Sequence, residues 1–136
     1  MERVVTSLFD GVSPEEYAAM MICFKTQIKT YRKGEEVPMP TARVGVVQRG
    51  LISLMKTDIN GARTIFEQLS AGGVFGDMLG YAWADASFYL IADEDCDVLY
   101  IDYEHIVKRC PNACAHHSTV VANLVRLMGE KTQALS

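Results

Sequence analysis

The apolar residues of this chain come in short bursts, and the period at which they recur changes along its length. Leu8, Phe9 and Val12 lead into a segment with Ser13 as N-cap, Pro14 at the first helical position and Glu16 three residues after the cap. Such a capping box satisfies backbone N–H groups that a first turn leaves unpaired, and it predicts a helix over 13–23. From Phe24 the period drops to two, with Gln27, Lys29 and Tyr31 alternating with Thr26, Ile28 and Thr30. Residues 32–36 form a polar turn, and Val37-Pro38-Met39-Pro40 reads as extended, since each proline moves its predecessor out of the α region. Strands are expected over 44–47, 51–57 and 63–69, with turns at Arg49-Gly50 and at Asn60-Gly61, a strong hairpin signal. Two more, over 87–92 and 97–101, flank the acidic turn Asp93-Glu94-Asp95. The pattern then returns to helix, briefly over 103–108 and at length over 113–135, interrupted only by Gly129.

Many short strands about ten residues apart, joined by turns rich in Gly and Asn, indicate a mainly β, antiparallel sandwich or barrel-like roll with flanking helices. At 136 residues the expectation is one domain, with a β-roll and its N-terminal helix over 1–112 and the long helix over 113–136. The longest apolar burst, 18–23, is far short of a membrane span, and the N-terminus lacks the pattern of a signal peptide, so a cytoplasmic location without membrane contact is expected. In that compartment the four cysteines are expected as thiols or metal ligands. The net charge of −4 and the scattered basic residues argue against nucleic-acid binding by this chain alone.

The stretch 71–87 carries the most chemistry. Gly72, Gly73 and Gly76 precede Asp77, then Met78, Leu79, Gly80, Tyr81 and Trp83. Placed between two strands, and with glycine N–H groups taken to be free, this segment reads as a ligand cradle. Tyr81, Trp83, Phe88 and Tyr89 either line a cavity for a flat or apolar metabolite or fill the interior of the roll. A second constellation is Cys110, Cys114, His116 and His117. Cys110, Cys114 and His117 have metal-ligand spacing on one helical turn, with Cys96 and His105 as spare donors. Four ligands are not assembled by any motif, and small core cysteines with surface or capping histidines explain the same residues. No cofactor is assigned. All three histidines follow the last strand, which disfavours a cupin-like metal enzyme, and no nucleophile–base pair or P-loop is present; the protein is read as not an enzyme.

In the long helix, Val121, Leu124, Met128 and Leu135 fall at three-, four- and seven-residue steps, widened by Val120, Leu127 and Ala134. This stripe exceeds what one surface helix needs, and it predicts a homodimer through the helix.

The pieces Leu8-Phe9…Ser13-Pro14-Glu15-Glu16, Tyr31-Arg32-Lys33-Gly34-Glu35, Val46-Val47-Gln48-Arg49-Gly50, Gly73-Val74-Phe75-Gly76-Asp77 and Asn123-Leu124…Met128-Gly129-Glu130-Lys131 occur in an order that resembles the Crp/Fnr transcription regulators. The resemblance covers nearly the whole chain. It implies an antiparallel double-stranded β-helix of the cyclic-nucleotide-binding type and a long C-terminal dimerisation helix. It also implies a small-molecule effector whose binding shifts that helix and moves a downstream helix-turn-helix on DNA. The chain stops at Ser136, about where such a DNA-binding domain would begin, as either a separated sensory domain or a short member. The runner-up is a stand-alone dimeric module that binds no ligand.

In nucleotide-binding members a glycine and a carboxylate meet the ribose, and an Arg-Ser/Ala pair meets the cyclic phosphate. Carried over, Gly76, Asp77 and Ser87 are ligand-binding positions, with Tyr81 and Tyr89 as lining residues. The position before Ser87 is Ala86, however, and no arginine lies between Asp77 and Ile101. A hydrogen bond to a charged group contributes about 1.5–3 kcal/mol, and an unpaired buried anion costs several more. Cyclic AMP and cyclic GMP are therefore not the expected effectors.

Overall fold

The N-terminal capping box forms. In the computed structural model, which describes residues 6–76, 87–107 and 115–135, the Ser13 hydroxyl accepts from the Glu16 N–H at 3.1 Å, and Glu16 Oε1 accepts from the Ser13 N–H at 3.2 Å. Helix α1 (Pro14–Cys23) starts there with Pro14 in its first turn, and Met20 reaches the core from it. A 3-10 turn (Ser7–Phe9) precedes it and buries Leu8 and Phe9, the predicted apolar entry.

Among the described residues eight strands follow: β1 (Gln27–Tyr31), β2 (Glu36–Val37), β3 (Arg43–Arg49), β4 (Ile52–Thr57), β5 (Arg63–Leu69), β6 (Val74–Phe75), β7 (Phe88–Ala92) and β8 (Cys96–Asp102). Two helices close the chain, α2 (Tyr103–Val107) and α3 (Ala115–Leu135), the latter continuous through Gly129. The strands form two antiparallel sheets, ordered β1-β8-β3-β6 and β2-β7-β4-β5. Each of the connections β1–β2, β3–β4, β5–β6 and β7–β8 passes from one sheet to the other. Register puts all four at one end, with Tyr31 opposite Cys96, Arg49 opposite Asp97, and Ile52 opposite both Leu69 and Ala92. This is the antiparallel double-stranded β-roll that the strand spacing and the family resemblance predict.

Close packing at the turned end depends on Gly50. Its φ is +96°, and a Cβ there would collide with the Asp95 carbonyl oxygen and stand 2.7 Å from the Cys96 sulfur. Glycine is the residue that combines that backbone with that proximity. The hairpin at 60–61 also forms. Asp58 Oδ1 accepts from the Asn60 and Ala62 N–H groups, each at 2.9 Å, and Gly61 takes φ +84°.

Both sheets and the helices contribute to one buried cluster that includes Val44, Val46, Leu54, Leu90, Leu99 and Ile101. Helix α3 adds Val120, Leu124 and Leu127, and its Asn123 is also buried. The Asn123 amide donates to the carbonyls of Leu8 and Asp10 at 2.9 and 2.8 Å, and Arg126 pairs with the Asp10 carboxylate at 3.1 Å. The long helix is thus bound to the 3-10 turn by polar as well as apolar contacts. Among the described residues no helix is long and apolar enough to cross a membrane.

Candidate functional site

Away from the four turns, the roll has an end where strands leave without crossing directly. There β6 departs from the first sheet at Gly76, and β7 joins the second at Phe88 just after Ser87. The connector between them is anchored on opposite sheets. Phe75 pairs with Gly45, whose missing side chain makes room for the ring: a Cβ at position 45 would stand 2.6 Å from Phe75 Cζ. At Gly76 a Cβ would come within 2.6 Å of the Tyr103 hydroxyl and 2.9 Å of the Arg43 carbonyl oxygen. The glycine of the predicted cradle is therefore required where the connector passes between β3 and the start of α2.

The other two glycines correct the sequence reading. Their N–H groups were taken as free for a ligand, but Gly72 donates to the Val47 carbonyl and Gly73 to the Ser70 carbonyl, both at 2.8 Å. Gly72, at φ +94°, makes the turn between β5 and β6. These glycines serve the fold, Gly72 through an acceptor on strand β3 and Gly73 through one within its own turn.

Among the predicted ligand positions, Asp77 and Tyr81 lie outside the described residues, as does Trp83. The Ser87 carbonyl accepts from the Thr57 N–H at 2.9 Å. Tyr89 lies on the opposite face of β7 from Phe88. In β7 the residues 88, 90 and 92 are buried and 89 and 91 are half-buried, so the pleat separates Tyr89 from Phe88. Tyr89 shares its face with its register partner Met55, and the Arg63 guanidinium lies 5.9 Å from its ring centroid. Phe88 is the aromatic residue that joins Leu54 and Leu90 on the buried face. The alternation was readable from the sequence; the face turned toward the other sheet was not.

Phe88 collects two neighbours that the sequence reading did not single out. Phe66 packs its ring edge against it with centroids 5.0 Å apart, and Lys56 holds its ammonium 5.5 Å from the Phe88 centroid. A further polar group lies in the first sheet. The hydroxyls of Tyr31 and Tyr100 meet at 2.8 Å, and the Arg43 guanidinium lies 4.2 Å from the Tyr100 centroid. Burial, and then the Tyr31 hydrogen bond, push the Tyr100 phenol far above its ordinary pKa, so it stays neutral.

Cys110 and Cys114, two of the candidate metal ligands, lie outside the described residues, and of His117 only the backbone, within α3, is described. The spare donors are engaged elsewhere. Cys96 is fully buried, and its thiol faces the Leu51 and Glu94 carbonyls at 3.3 and 3.0 Å. Burial raises its pKa and disfavours the thiolate that metal binding needs. His105 Nδ1 lies 2.9 Å from the Phe24 carbonyl oxygen. Among the described residues, no three metal-ligating side chains come together.

On α3 the predicted dimer stripe divides. Leu124 is 3% exposed and belongs to the chain's own core, whereas Val121 and Met128 are half-buried against that core. Val125, 62% exposed, lies one turn from Val121 and beside Met128 on the outward side. The side chain of Leu135 lies outside what is described.

The cyclic nucleotide-binding domain model matches residues 28–111, from β1 through α2 and the segment after it. No curated protein sequence matches significantly. Among solved structures, the chain is similar to the catabolite activator protein of Thermus thermophilus at 22% identity and a TM-score of 0.72, over 93% of this chain and 58% of that one. The N-terminal domain of a transcriptional regulator from Streptomyces coelicolor is similar at 16% identity and a TM-score of 0.66, covering 92% of this chain and 90% of that one. A CooA mutant from Carboxydothermus hydrogenoformans aligns at 20% identity and a TM-score of 0.57, over 99% and 88%. The chain thus spans little more than half the length of the Thermus protein.

Proposed function

Because the chain belongs to the cyclic nucleotide-binding domain family and folds as Crp/Fnr-type regulators do, we propose that it is a ligand-sensing, dimerising regulatory domain whose effector is neither cyclic AMP nor cyclic GMP. The observation that carries this reading is the connector between Gly76 and Ser87. It links β6 of one sheet to β7 of the other and contains no arginine to meet a cyclic phosphate. The role is binding rather than catalysis. The roll up to residue 112 receives the effector, and the helix over 113–136 carries the response.

The route for that response is the attachment of α3. Its inner side is fixed to the 3-10 turn through Asn123 and Arg126, and its outer side presents Val125, flanked by the half-buried Val121 and Met128. An effector that prefers one arrangement of roll and helix shifts the population toward it by its differential affinity for the two states. With a net charge of −4 this chain does not itself grip DNA. A helix-turn-helix, where one follows, is the element that does.

Titration calorimetry with cyclic AMP and cyclic GMP is expected to show no binding at micromolar concentration, since the missing arginine lowers affinity by a hundredfold or more. Micromolar binding of either would overturn the assignment. Native mass spectrometry should report a dimer carrying a small organic molecule. The variant Val125→Glu should be monomeric, because it sets a like charge from each protomer in the stripe, where neither is compensated. A wild-type protein that is monomeric at micromolar concentration removes the dimer.

A further inference from the structure

The β4–β5 hairpin turns on the only Asn-Gly pair in the sequence, Asn60-Gly61, and residues 58–63 are all exposed. An asparagine side-chain amide can be attacked by the backbone nitrogen of the following residue. Glycine hinders that ring closure least, because it has no Cβ and leaves the backbone free to rotate. The turn restrains the nitrogen in question. The Gly61 N–H donates to the Asp58 carbonyl at 3.0 Å, and the Asp58 N–H donates to the Ala62 carbonyl at 2.9 Å. Asp58 Oδ1 accepts from the N–H groups of Asn60 and Ala62, each at 2.9 Å, which are the residues on either side of Gly61. One aspartate thus engages three consecutive backbone N–H groups, the central one being the nucleophile.

We propose that Asn60 is a deamidation site and that Asp58 holds it closed in the folded protein. In the reaction the Gly61 N–H gives its proton to hydroxide, and the nitrogen attacks Asn60 Cγ. A new C–N bond forms, the Cγ–Nδ2 bond breaks, and ammonia leaves with a proton from water. Water then opens the resulting cyclic imide at one of its two carbonyls, giving aspartate or isoaspartate. Asp58 opposes the first step in two ways. The Gly61 proton is committed to a carbonyl, a bond that only the protonated amide can make, and the nearby carboxylate disfavours an amide anion by like charge. Ring closure also requires rotation of the backbone between Asn60 and Gly61, which the bonds from Asp58 resist. Isoaspartate carries an extra backbone carbon next to the Thr57–Arg63 pair of the ladder, so the modified turn cannot keep its closure. The hairpin therefore records its own opening as a covalent change.

The test incubates the purified full chain at mildly alkaline pH and follows it by peptide mapping with mass spectrometry. Mapping reads amide-to-acid conversion at Asn60 separately from that at Asn112 and Asn123, neither of which precedes a glycine. In the same buffer with enough urea to unfold the chain, conversion at Asn60 should be about tenfold or more faster than in the folded protein. Asp58→Ala, checked as folded by circular dichroism, should convert faster than the folded wild type. Asp58→Asn keeps an acceptor oxygen without the charge and should fall between the two, which also covers the case of an alanine variant that does not fold. Equal rates in folded and unfolded wild type, or folded Asp58 variants that convert as slowly as the wild type, overturn the role of Asp58. An unfolded chain in which Asn60 converts no faster than Asn112 and Asn123 overturns the site itself.

Discussion

Gly50→Ala is expected to destabilise the protein by about 3 kcal/mol or more. Two independent costs meet at this position. A non-glycine residue held at a φ of +96° carries backbone strain of about 1–3 kcal/mol. The added methyl collides with the Asp95 carbonyl oxygen, and crowding of a close-packed site adds about 1–3 kcal/mol more. The carbonyl has little freedom to withdraw, because Asp93 N–H is bonded to Leu51 O at 2.8 Å and the Cys96 thiol fills the adjacent space. Gly34→Ala and Gly61→Ala serve as controls, since both glycines have positive φ but nothing lies within 4 Å of their Cβ positions. Urea denaturation should show a large fall in midpoint for Gly50→Ala and smaller falls for the controls, with unchanged slopes. Equal losses in all three would assign the whole effect to backbone conformation.

Asn123→Ala is expected to cost about 2–4 kcal/mol and to loosen α3 from the N-terminal turn. The amide donates two hydrogen bonds from a side chain only 6% exposed, and its removal leaves the Leu8 and Asp10 carbonyls without that donor. Truncation also opens a small void beside Leu124 and Val120. Hydrogen exchange locates the effect: residues 6–10 and the middle of α3 should lose protection together, while the β3–β8 ladder keeps its own. Asn123→Asp should be at least as damaging, because a carboxylate faces two carbonyl oxygens with no proton to give. A variant that loses stability uniformly, with no local opening, would show that Asn123 does not hold these elements together.

The features that the sequence revealed are those whose partners lie close along the chain. Ser13 and Glu16 are three residues apart and form their capping box as expected, and the Asn60-Gly61 hairpin closes through Asp58, two residues away. Strand positions followed from alternation to within about two residues, except β6 (Val74–Phe75), which lies in the stretch read as a ligand cradle. What escaped depended on pairings across long separations. Lys56 meets the Phe88 ring across the β4–β7 ladder, and Asn123 meets the Leu8 and Asp10 carbonyls. Tyr89 and Phe88 are equally aromatic and adjacent, so their different surroundings follow only from the orientation of the second sheet. The helix stripe was visible, but the depth at which α3 seats in its own roll is what takes Leu124 into the core. In each case short-range pattern defines the element, and the register of distant elements assigns the role.

The pairing of β1 with β8 also bears on how the chain reaches this fold. Gln27 lies opposite Tyr100, so the first strand has no ladder partner until nearly the whole roll has been synthesised. Non-local antiparallel pairing of this kind makes for slow folding, in milliseconds to seconds for small all-β domains. A nascent chain emerging from the ribosome must hold β1 unpaired while β2 through β7 appear. Truncation before residue 96 therefore does more than shorten the product: it removes the central strand onto which both β1 and β3 close.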